Sequence, residues 1–237
     1  GAVLFAWWPR SDLAWHLRTA TPPGTFAAVA IALFLLAGYL NTRAGDGEYA
    51  PAEMTTLADL VALTPVPVTA VVAGRLAAGA VTVLVQLLLG LPFLLAALGV
   101  SGVSASVLPA VAAVVASAAM AWRASGLALR LALPEHPVLR DVLLLAASIV
   151  YLAATFAAVP AANPLSALVD LAGGGGRTLS AAGASLPFFA VSAIIAMLVL
   201  ALAVVASLAA LQAARHTAKH TAKDGDAHRR YGAGPQG

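Results

Sequence analysis

The chain has no cysteine among its 237 residues. Disulfides and thiol chemistry are therefore closed to it, and its redox compartment leaves no trace in the sequence. Charge is almost as scarce. Asp, Glu, Lys and Arg make up 10% of the residues, against roughly 25% in an ordinary soluble domain. A surface that faces water on all sides cannot be built from so few charges. No phosphate loop of the form G-x-x-x-x-G-K-[ST] occurs; the closest approach is the glycine run at 173–176 followed by Arg177-Thr178, with no strand pattern before it. No Ser-His-Asp set or pair of carboxylates gathers within one segment, so the sequence offers no enzymatic centre. The five histidines, His16, His136, His216, His220 and His228, all fall outside the long apolar stretches, which argues against haem held within a bilayer. His216 and His220 belong to a tandem His-Thr-Ala-Lys repeat. On a helix they stand at i and i+4, a spacing that suits a metal pair, but a basic tail near anionic headgroups explains them more simply. No cofactor, no metal and no nucleic-acid partner is expected.

What the chain does have is apolar length. Hydrophobic residues make up 61% of it and the mean hydropathy is +0.92. Five stretches approach or exceed the roughly 20 helical residues needed to cross a hydrocarbon core: about 25–40, 68–98, 107–131, 138–159 and 184–211. They are rich in Ala, Leu and Val, and small residues let helices pack closely in lipid. A membrane barrel would need short alternating segments, and these runs are too long and too uniform. The expected fold is all-α: a polytopic transmembrane helix bundle surrounded by lipid. Pro92 lies within the second stretch and should kink that helix or end its regular part. The segment 160–183, with Asn163-Pro164 and four consecutive glycines at 173–176, reads as a loop, and the polar residues from His216 onward read as a loose tail.

Lys and Arg favour the cytoplasmic side of membrane proteins. The tail (Arg215, Lys219, Lys223, Arg229, Arg230) is then inside, and 160–183, with Arg177 alone, is outside. The turn at 132–137 is inside, flanked by Arg123, Arg130 and Arg140. The uncharged turn at 99–106 is outside, and 41–67 is inside with Arg43. Five spans put the start of the chain outside. Residues 1–8 are apolar and close on Trp7-Trp8, like the interfacial end of a helix. Two readings compete: an upstream span of which 1–8 is the remnant, or an amphipathic surface helix over 11–19 and a different topology. The first is preferred, giving six spans in the full-length chain. Asp12, Trp15, His16 and Arg18 then read as a short anchor at the headgroups.

Residues 46–75 are more than a linker. They begin with acids, run into an amphipathic stretch (Leu57, Leu60, Val61, Leu63), break at Thr64-Pro65-Val66-Pro67, and enter the next span through Gly74-Arg75. This pattern resembles the permease subunits of type-2 ATP-binding-cassette exporters. There, an acidic segment, a Thr-Leu pair, a short helix, a Thr-Pro-Leu turn and a Gly-Lys pair lie between the second and third helices. Glu53, Thr56-Leu57, Thr64-Pro65 and Gly74-Arg75 fall at the family's relative spacing. Asn163-Pro164-Leu165 is similar to the family's Asn-Pro-Leu, and the haem-exporter membrane subunit of cytochrome c maturation is similar in size and pattern. Thr55 stands where the family has Gly, and Ala58 where it has an acid. The family has six spans and its motif follows the second; here it follows the first.

The resemblance implies a multi-pass protein of a prokaryotic inner or plasma membrane with its C-terminus cytoplasmic. It also implies ATPase subunits and a second permease subunit, identical or similar, as partners. It assigns the ATPase contact to Glu53, Thr56, Leu57, Leu60, Thr64, Pro65 and Arg75. The alternative for this segment is an ordinary interfacial helix with acidic flanks. Candidates for a substrate path are the few polar residues within the spans: Gln86 in the second, and Ser148, Tyr151 and Thr155, which share a face of the fourth at spacings of three and four. Such residues more often hydrogen-bond between helices. The rival to an exporter is a non-transporting structural or accessory subunit of a larger membrane complex.

Overall fold

The computed structural model describes residues 23–43, 65–133, 136–181 and 184–232, with side chains as far as Thr217 apart from residues 43, 137 and 181. Among them are six α-helices: α1 (Gly24–Arg43), α2 (Val68–Ser101), α3 (Leu108–Ala132), α4 (Pro137–Ala158), α5 (Pro164–Ala172) and α6 (Phe188–Gly232). All except α5 are long and apolar enough to cross a membrane. The fold is an all-α polytopic bundle. It is joined by a single small hairpin among the described residues, β1 (Thr178–Ala181) against β2 (Ala184–Pro187).

Local chemistry sets the ends of these helices. Val66 precedes Pro67 and is biased towards extended backbone; α2 begins directly after, with Pro67 at φ −65°, ψ 137°. It ends at Gly102, in the left-handed region at φ 70°, whose N–H bonds to the Leu98 carbonyl. Pro92 does not end the helix, which continues to Ser101. Proline is tolerated in membrane helices where neighbouring groups re-satisfy the backbone. Ser104 Oγ accepts from the Ser106 amide, opening a 3₁₀ turn (Ala105–Val107) that leads into α3.

Three regions differ from the sequence-based expectation. The 160–183 segment is not a simple loop: it holds a 3₁₀ turn (Pro160–Ala162), α5 and β1. The last span begins at Phe188 rather than at 184, because Pro187 keeps Leu186 extended. There Leu186 faces Leu179 across the hairpin, and the Phe188 amide donates to the Arg177 carbonyl at 3.2 Å. Beyond His216 the backbone continues as helix to Gly232, as a stretch rich in Ala, Lys and Arg allows.

The core lies between α1, α3 and α5. Phe26, Phe34, Val111, Val114, Val115 and Leu168 are fully buried there, with Leu94 and Leu98 of α2 at its edge. Lipid is as apolar as leucine, so tight packing and hydrogen bonds hold such helices together. α4 is peripheral. Arg140 and Leu144 are buried, while Val142, Leu145, Ile149, Val150 and Phe156 are exposed along it, as lipid-facing residues are.

Candidate functional site

The first candidate set is the ATPase-contact segment. Glu53, Thr56, Leu57, Leu60 and Thr64 lie outside the described residues. Pro65 is exposed in the extended entry to α2, and Arg75 is half-buried two turns into that helix. This entry is tied down in two ways. Arg215 of α6 donates through Nη2 to the Val66 carbonyl at 2.6 Å. One turn apart on α2, Val68 and Val72 pack with Leu211 of α6, flanked by Leu76, Leu131, Val204 and Leu208. The entry to α2 is thus in contact with α6, and the same cluster reaches Leu131 near the end of α3.

The second set is the polar seam. Gln86 accepts at Oε1 from Asn41 Nδ2 at 2.8 Å, and the same amide nitrogen donates to the Ala37 carbonyl. Asn41 is 2% exposed and its Oδ1 has no hydrogen-bond partner. Gln86 therefore joins α2 to α1. On α4, Ser148 Oγ accepts from Trp122 Nε1 at 3.0 Å and donates to the Leu144 carbonyl. Tyr151 donates to the Ala162 carbonyl at 2.8 Å. Thr155 Oγ1 donates to the Tyr151 carbonyl and accepts from Asn163 Nδ2 at 2.9 Å. All four candidate path residues spend polar atoms on neighbouring elements or on their own helix.

Asn163 ties this seam to α5. It is fully buried, its Nδ2 also reaches the Leu152 carbonyl at 2.6 Å, and its Oδ1 accepts from the Leu165 and Ser166 amides. It is at once the cap of α5 and the clamp on the end of α4. The sequence marks the cap, since Asn before a Pro at the first helical position is a helix start. The clamp depends on residues eight and eleven positions earlier and has no local signature.

The helices approach closely at three described glycines, Gly38, Gly79 and Gly90, the last against the Leu33 side chain of α1. A Cβ on Gly38 would overlap the Trp122 ring, and one on Gly79 would overlap the Arg123 side chain. Trp122 in turn stacks obliquely on Phe34, with ring centroids 4.8 Å apart. Arg123 and Arg140, read from the sequence as flanking charges, are each only 8% exposed. Arg140 pairs with Asp141 at 3.5 Å.

The glycine run follows helix α5 and leads into a strand. A phosphate loop runs from strand to helix. Instead the run forms a turn closed by Asp170, which is 9% exposed. Its carbonyl accepts from Gly175 at 2.8 Å and its Oδ1 accepts from the Arg177 amide. No group of three or more His, Cys, Asp or Glu converges among the described residues. No protein family, no curated protein and no solved structure matches the chain.

Proposed function

We propose that the chain is the membrane-spanning permease subunit of an ATP-driven exporter, energised by a separate ATPase chain and working beside a second permease subunit. The observation that carries this reading is the pattern of residues 46–75, with Glu53, Thr56-Leu57, Thr64-Pro65 and Gly74-Arg75 at the spacing of a coupling segment. The fold adds support at the described end of that segment, where Val66 is hydrogen-bonded to Arg215 and Val68 and Val72 pack on Leu211. A rigid surface element pushed by a partner would displace α2 and α6 as one body, and a lever needs that property. Substrate would then pass along the interface between two permease subunits. The protein would sit in a prokaryotic inner or plasma membrane with the 46–67 segment and the tail on the cytoplasmic face.

A second reading, a non-transporting accessory subunit, draws on the seam. Gln86, Ser148, Tyr151 and Thr155 are engaged in hydrogen bonds within the chain. Affinity purification of the tagged chain from native membranes separates the two. The exporter reading expects a phosphate-loop ATPase to co-purify, and to be lost when residues 53–65 are replaced by a Gly/Ser stretch. Recovery of the chain with no nucleotide-binding partner favours the accessory reading.

A further inference from the structure

A cleft of about 250 Å³ opens where the start of α2 meets α6, lined by Pro67, Val68, Thr69, Gln212, Arg215 and His216. Gln212, Arg215 and His216 stand at i, i+3 and i+4, so α6 turns one face into it. Among the described residues the lining offers the Arg215 guanidinium, the Gln212 amide, the His216 ring and the Thr69 hydroxyl, and no carboxylate. Such a set suits an oxyanion. The hydrogen bond from Arg215 to the Val66 carbonyl fixes where the guanidinium stands. One water takes up about 30 Å³ of liquid, so the cleft has room for a phosphate group with solvent around it.

Its place in the molecule narrows the occupant. Leu211 is the last buried apolar residue among the described side chains of α6, and the sequence turns polar just beyond it. The cleft therefore lies at the boundary between hydrocarbon and water, where headgroup phosphates reside. Below it, Leu198 (59% exposed) and Val205 (64% exposed) lie at heptad spacing on the stripe of α6 that carries Gln212. An apolar track thus leads from the lipid-exposed face up to the donors. Basic pockets between membrane helices are the usual seats of anionic headgroups.

We propose that this cleft binds a phosphate oxyanion, carried there by the headgroup of an anionic phospholipid whose acyl chains lie along Leu198 and Val205. The site pins the junction of α2 and α6 to the membrane surface, and it operates whether or not the chain transports.

The test uses the full 237-residue chain in an uncharged detergent, with bound lipid counted by native mass spectrometry. Three probes are compared: phosphatidylglycerol, diacylglycerol with the same acyl chains, and inorganic phosphate. Phosphatidylglycerol should bind at least about five-fold more tightly than diacylglycerol, the preference one basic residue gives near a membrane surface. Arg215→Gln should abolish that preference and Arg215→Lys should keep most of it. Arg177→Gln, which alters a cation after α5, should leave it unchanged. If inorganic phosphate competes with the lipid at low concentration, the oxyanion site stands and a soluble phosphate is its source. Equal binding of phosphatidylglycerol and diacylglycerol by the unaltered chain would overturn the proposal, a comparison that needs no variant to fold. So would an undiminished preference in folded Arg215→Gln.

Discussion

Asn163 holds three parts of the chain at once: the first turn of α5, the last turns of α4, and the 3₁₀ turn between them. Asn163→Ala removes a cap and leaves the Leu165 and Ser166 amides short of an acceptor. The expected loss is about 1–3 kcal/mol, read as a lowered thermal midpoint of the purified protein in detergent. Glycine gives a sharper test because one substitution can be made in two settings. Gly99 has open space around it, whereas Gly38 faces the Trp122 ring. Gly99→Ala should leave the midpoint unchanged or raise it, by up to about 1 kcal/mol of helix propensity. Gly38→Ala carries the same propensity gain but should lower the midpoint, by about 1–3 kcal/mol of overpacking. Equal behaviour of the two variants would remove the close approach of α1 and α3 from the account. At this scale the sequence was only half informative. That Ser148, Tyr151 and Thr155 share a helix face follows from spacing. Their partners Trp122, Ala162 and Asn163 belong to other elements, and no periodicity within α4 points to them.

At the scale of elements, α4 depends on these few polar contacts because most of its apolar residues face outward. Hydrogen bonds between membrane helices average about 0.6 kcal/mol. The double variant Ser148→Ala, Tyr151→Phe should therefore cost roughly 1 kcal/mol of stability, measured by chemical denaturation in mixed micelles. Leu145→Ala, at a lipid-facing position, should cost much less. By contrast Leu168→Ala, at the centre of the core, should cost about 2–5 kcal/mol. The five long helices could be read from apolar length alone, because crossing a bilayer demands a run that little else produces. α5 could not, since nine residues fall far below that length and its burial is decided by α1, α3 and α6 around it. The hairpin escaped notice for a related reason. Its strands are four residues each and carry no strong alternation, so their pairing is a tertiary fact.

The whole molecule makes a claim of parity. Three spans, α2, α3 and α4, separate the 44–67 segment from the hairpin, and four separate it from the tail once α6 is added. If all five long helices cross, the segment and the tail share one face of the membrane and the hairpin lies on the other. The coupling proposal needs this arrangement, and so does a headgroup site built where α2 and α6 meet. The proposal takes the shared face to be the cytoplasmic one, on the placement of Lys and Arg in the sequence. The absence of cysteine makes the chain its own background for the test. Single variants Ala50→Cys, Ser180→Cys and Ala222→Cys, expressed in intact cells, would be exposed to a membrane-impermeant maleimide. The account predicts labelling of Ser180→Cys alone, with the other two reacting only after the cells are permeabilised. Labelling of Ala50→Cys in intact cells, together with Ser180→Cys, would contradict it.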